Sequence, residues 1–187
     1  MKISVYLTSG LVIVGIILGL SFGYYLTPEY TVSMYEKNSM TLGRADRTFD
    51  LRYINAMIAH HRGAMLLAEQ LGKNTTRPEL QSLSKAILSD EPAAIAELYA
   101  WKKSWYNDTK SVKDPIVANL GPAGETFDLR FLNAIIAHHE AGIEMTEETS
   151  KKSSRAEILD NANAVEKFLS NGLQTLTVLR TTWYNVQ

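Results

Sequence analysis

Residues 48–106 recur at 126–184 without a gap, at a constant offset of 78 residues. The two copies open as TFDLRYINAMIAHH and TFDLRFLNAIIAHH, identical at 11 of those 14 positions, whereas only 19 of all 59 aligned positions match. A gapless duplication narrows the fold sharply. Each copy must present an equivalent apolar face, and two such faces are best buried against each other. All four histidines of the protein belong to the shared opening, as the pairs His60-His61 and His138-His139. A duplicated helix pair needs matching cores but not matching imidazoles, so the pairs point to a paired site.

Each copy reads as two helices. Thr48 suits the N-cap of the first. Along that helix Tyr53, Met57, His60, Ala64, Leu67 and Leu71 form one stripe at three- and four-residue spacing, and Ile54, Ile58, His61, Met65 and Ala68 form the next. Together they make a broad apolar face with both histidines in its middle. Gly72 to Thr75 are expected to turn the chain, and Thr76-x-x-Glu79 has the form of a capping box opening the second helix. Ser154-x-x-Glu157 repeats that signature. Leu80, Leu83, Ile87, Ala94, Leu98, Trp101 and Trp105 give the second helix its buried stripe, and Pro92 within it predicts a kink. Asp114-Pro115 and Gly121-Pro122 mark 107–125 as the connection between copies. The pattern predicts an all-α protein, a four-helix bundle built from two tandem hairpins with pseudo-twofold symmetry. The connection is long enough for a crossover.

Residues 3–26 carry no charged side chain. As a helix they would reach roughly 36 Å, enough for a hydrocarbon core of about 30 Å. We read 1–26 as an N-terminal transmembrane anchor, 27–43 as a tether and 44–187 as the bundle, with a cleaved signal peptide as the alternative. The charge pattern around the apolar run gives a weak topology signal. N-terminal anchors of this shape usually translocate the domain behind them, which places the bundle on the periplasmic or extracellular side.

Neutral imidazole binds zinc and copper, and thioether sulfur selects Cu(I). Adjacent histidines on a helix point about 100° apart, so each needs partners one turn away or on a facing helix. Met57 precedes His60 and His61 by three and four residues, Met65 follows His61 by four, and Met145 follows His138 by seven. The candidate metal ligands are therefore His60, His61, His138, His139, Met57, Met145 and Met65, with a copper ion, Cu(I) or Cu(II), as the cofactor. The competing reading is structural: a core histidine finds a hydrogen bond, and a methionine stripe packs. On it the chain is a structural or interaction module without metal. Asp50 and Asp128 read as first-turn carboxylates facing the helix dipole. Trp105-Tyr106 and Trp183-Tyr184 read as packing at the bundle ends.

Other chemistries fit poorly. The net charge of −1 gives no electrostatic case for nucleic acid, and the absence of Cys excludes thiolate sites. No Glu stands three residues before any His, as a ferritin-like di-iron site requires. There is no H-E-x-x-H, G-x-S-x-G or P-loop, so we expect no enzyme.

The residues F49-D50-x-x-Y53-x-x-x-M57-x-x-H60-H61-x-x-A64 closely resemble domain-of-unknown-function family 305, as do F127-D128-x-x-F131-x-x-x-I135-x-x-H138-H139-x-x-G142-x-x-M145. The resemblance covers about residues 44–186. It implies a ferritin-like four-helix bundle, frequent export or membrane anchoring, and relatives that bind periplasmic copper through Met and His. This chain departs from the pattern at Leu67, Leu98 and Leu176, where the family often carries Met, and copy two has Ile135 where copy one has Met57. The thinned thioether set argues against high-capacity Cu(I) storage and towards a His-dominated site for Cu(II) or another divalent ion.

Overall fold

A computed structural model describes residues 42–186. The apolar stretch 3–26, and with it the expected transmembrane helix, lies outside the described residues. The chain forms α1 (Phe49–Asn74), α2 (Pro78–Tyr106), α3 (Phe127–Lys152) and α4 (Ala156–Tyr184), with no strand among the described residues. This is the expected all-α architecture of two tandem hairpins, in register with the repeat.

The helix starts differ from expectation. Thr48 occupies the N-cap of α1, but its hydroxyl donates to Asp46 Oδ1 at 2.7 Å and accepts from the Arg52 side chain at 2.6 Å, and it caps no backbone N–H of the helix. Neither capping box forms. Arg77 and Arg155 are the N-caps of α2 and α4, and neither caps through its side chain. Thr75 Oγ1 and Ser153 Oγ instead accept the backbone N–H of these arginines, each at 3.2 Å. Pro78 at the first position of α2 suits this start, because its fixed φ and missing N–H cost a first turn nothing. The turn between α1 and α2 is also shorter than expected. Gly72 remains helical, and a Cβ there would lie 2.7 Å from Ser84 Oγ, so glycine admits the close approach of α2. α2 continues through Pro92 as one uninterrupted helix.

α1 packs on α2, α3 on α4, and α1 on α3, while α2 and α4 do not pack closely on one another. Two half-cores result. One joins Phe49, Tyr53, Met57 and Ile58 of α1 to Leu98 of α2, Met145 of α3 and Ile158 of α4. The other joins Leu67 and Leu71 of α1 to Leu80 of α2, Phe131 and Ile135 of α3 and Leu176 of α4. α1 and α3 therefore run antiparallel, and the connection must cross the length of the bundle. It leaves α2, where Tyr99 Oη accepts from the Val112 backbone N–H, and then follows α1, where Arg62 pairs with Asp114 and Gln70 Oε1 accepts from the Leu120 backbone N–H. One long crossover of this kind is the ferritin-like topology.

Equivalent residues of the two copies latch the hairpins together. Arg155 Nε stands 3.4 Å from Asp50 Oδ2, and its guanidinium lies over the Trp105 ring, 4.2 Å from the centroid. Arg77 Nε stands 3.2 Å from Asp128 Oδ2 and lies 4.3 Å from the Trp183 centroid. Asp50 and Asp128 thus hold the opposite copy as well as facing their helix dipoles, and the terminal tryptophans add cation–π contact to packing. Arg52 and Arg130 pin the segments before α1 and α3, donating to the Leu42 and Leu120 carbonyls at 2.5 and 2.6 Å.

Candidate metal site

The first histidine of each pair lies where α1 crosses α3. The rings of His60 and His138 stack, with centroids 3.8 Å apart and planes 6° from parallel. Small residues three and four positions later, Gly63-Ala64 and Ala141-Gly142, let the helices approach. A Cβ on Gly142 would stand 2.7 Å from His60 Cε1 and Nε2, and 2.5 Å from Leu169 Cδ1. A Cβ on Gly63 would stand 3.2 Å from His138 Cε1. Each stacked ring therefore sits against a glycine of the facing helix. Gly142→Ala would normally gain about 1 kcal/mol of helix propensity. Here it must displace the His60 ring and Leu169, at a typical overpacking cost of about 1–3 kcal/mol. The expected result is a lower melting temperature and a His60 ring signal shifted in NMR spectra. An unshifted ring with raised stability would show that the contact is slack.

The second histidines turn outward. His61 lies 6.2 Å from His60 and His139 lies 6.4 Å from His138, centroid to centroid. His61 Nδ1 contacts Glu91 Oε2 of α2. His139 faces α4, where a Cβ on Gly172 would stand 2.7 Å from its Nε2. The first histidines stack across the pseudo-twofold and the second flank them, so the four imidazoles form a layer. Among the described residues, no three His, Asp or Glu side chains already form a metal cage.

All four histidines are buried, at 3, 9, 1 and 9% exposure in chain order. Burial pushes the His60 imidazole well below its ordinary value, and His138, His61 and His139 reinforce the shift. Burial also pushes His139 down to about 4, with His138 adding to it and the Ile135 carbonyl opposing it. Neutral imidazole is the form that ligates metal. His60 Nδ1 and His61 Nε2 are buried with no hydrogen-bond partner in the protein. A neutral imidazole with one nitrogen left over has an unused donor or lone pair, which burial penalises unless something fills it. The donor set therefore fits copper in chemical type, although a ring must rotate before the stacked pair can share an ion.

The layer floors a groove of about 820 Å³ between α2 and α4. Its walls are largely apolar, including Leu83, Ile87, Val165 and Phe168. Glu79, Asp90 and Glu91 supply its acids, and no Lys or Arg lines it. The bundle is thus open on one side of the layer. Met57 and Met145 lie fully buried in the same half-core, whereas their counterparts Ile135 and Leu67 lie in the other. Met65 is half-buried beside the Met57 half-core. None of the three methionines lines the groove. Sequence reasoning overlooked Glu91. The signal was present: this acid stands four residues from both Ile87 and Ile95, inside the apolar stripe of α2.

The family model described as Domain of unknown function (DUF305) matches this chain at residues 50–121 and 112–180. No curated protein matches. Among solved structures, CopM in the Cu(I)-bound form is similar at TM-score 0.63 and 24% identity, covering 71% of this chain and 95% of CopM. CopM is also known in Cu(II)-bound, Ag-bound and apo forms. A DUF305 fragment from Deinococcus radiodurans is similar at TM-score 0.63 and 18% identity, covering 75% of this chain and 99% of the fragment. A DUF305 protein from Streptomyces coelicolor gives TM-score 0.60 and 15% identity, covering 68% and 87%. At these identities the likeness concerns the fold.

Proposed function

Because the chain belongs to the DUF305 family, we propose that it is a non-enzymatic copper-binding protein whose four histidines supply the site. The observation that carries this reading is the single buried layer of all four imidazoles, in which His60 Nδ1 and His61 Nε2 lack protein partners. The copper-bound forms of CopM, which shares the fold, support the choice of metal. Bound copper would supply a positive centre for these donors. The imidazoles bind it, the apolar walls limit water, and the groove acids favour a cation. Met57 and Met145 offer thioethers to Cu(I) from one half-core. Titration of untagged protein with Cu(I) and Cu(II) should give affinities of micromolar or tighter, about −8 kcal/mol or more. No binding in that range would leave the structural reading, which the His61–Glu91 contact favours.

The bundle works, on this proposal, from a membrane tether on the exported side. No helix among the described residues is long and apolar enough to cross a membrane, and the tether we propose is the uncharged stretch 3–26. Full-length protein should pellet with membranes, and a chain starting near residue 40 should remain in the soluble fraction. Soluble full-length product with a new N-terminus near residue 27 would establish cleavage instead.

A further inference from the structure

The two copies differ where it matters most for their histidines. Glu91 of α2 meets His61 Nδ1, while the equivalent position of α4, 78 residues on, is Leu169. We propose that Glu91 is a positioning residue that makes His61 the leading imidazole donor, so that Cu(II) binds first on the His61 side of the layer. This inference rests on the copper reading above.

A carboxylate offers only acceptors, so its contact with His61 places the imidazole proton on Nδ1. The lone pair is then on Nε2, which is buried and has no protein partner. An imidazole held by a carboxylate through one nitrogen, with the other free to ligate, is the arrangement that fixes tautomer and raises basicity in metal-ligating histidines. Copy two lacks the carboxylate, and the uncharged Ile135 carbonyl beside His139 is its weaker counterpart. Leu169 is apolar and buried, its Cδ1 would stand 2.5 Å from a Cβ on Gly142, and it offers His139 no acceptor. His139 Nε2 instead abuts α4 at Gly172. Charge favours the same side. The groove's three acids, Glu79, Asp90 and Glu91, all belong to α2, and no Lys or Arg lines the groove to compete with an arriving cation.

The test uses the full chain and two substitutions. Glu91→Leu installs the residue that copy two already accommodates, and Glu91→Gln keeps an accepting oxygen but removes the charge. In metal-free wild type, long-range ¹H–¹⁵N NMR should show His61 protonated on Nδ1. Glu91→Leu should lose that preference, and Glu91→Gln should retain it. Cu(II) affinity by competition titration should fall about 10–100-fold in Glu91→Leu, and less in Glu91→Gln. The first Cu(II) equivalent should perturb His61 before His139 in wild type and lose that order in Glu91→Leu. An Nε2–H tautomer of His61 in wild type would overturn the proposal, as would unchanged Cu(II) affinity in a folded Glu91→Leu variant. Failure of wild type to bind copper at all would overturn the copper reading together with this inference. Normal binding by both wild type and Glu91→Leu would overturn this inference alone.

Discussion

Replacing His60, His61, His138 and His139 together by Gln should abolish copper binding and leave a helical bundle. Every imidazole of the protein is in this one layer, and the chain has no Cys to substitute for them. The two half-cores lie on either side of the layer and are built from Phe49, Tyr53, Leu98, Phe131, Leu80 and their neighbours, so helix packing has independent support. Loss of affinity should exceed about 100-fold, which corresponds to more than about 2.7 kcal/mol. Far-ultraviolet circular dichroism should stay near the wild-type value. Met57→Leu with Met145→Leu should weaken Cu(I) binding and spare Cu(II), because thioether ligation matters less to the harder ion. Wild-type affinity in the quadruple variant would mean that the histidines are structural.

The metal-free protein should lose stability as pH falls from about 6.5 to about 4. Folding keeps the buried His139 neutral down to about 4, whereas in the unfolded chain it takes up a proton near 6.5. Below 6.5 the unfolded state therefore binds more protons, and the stability associated with the depressed pKa is fully present only above that value. It is lost as pH falls through the folded value, and the dependence flattens below about 4. At about 1.4 kcal/mol per pH unit, His139 alone contributes about 3 kcal/mol. His60 shifts in the same direction. Against a total of about 5–15 kcal/mol for a domain, the melting temperature should drop by roughly 10 °C. His139→Gln should make the slope shallower over this window. An equal slope in that variant would assign the acid sensitivity to other groups.

The repeat makes the architecture legible from the sequence alone. Its 78-residue offset places Phe49 opposite Phe127 and Tyr106 opposite Tyr184, and each equivalent pair starts or ends a helix. Periodicity also places both histidines of each copy on the buried face. Pairing between the copies is much harder to read, because it depends on three-dimensional docking. The glycines that admit the His60–His138 stack look like ordinary helix residues in sequence. Arg77 and Arg155 meet their carboxylates on the opposite copy, a long-range partnership with no local signal. The capping boxes fail because both helices begin after an arginine, with the preceding hydroxyl residues making turns instead. The groove arises because α2 and α4 stay apart, which helical periodicity alone does not specify.

X-ray absorption at the copper edge reads the ligands of the bound metal and so decides whether copper binds the histidine layer. Protein loaded with one equivalent of Cu(II) should show the multiple-scattering pattern of imidazole from at least two ligands, and that pattern should vanish from the quadruple Gln variant prepared in the same way. A first shell of oxygen alone, or an identical spectrum from the variant, would place copper outside the histidine layer.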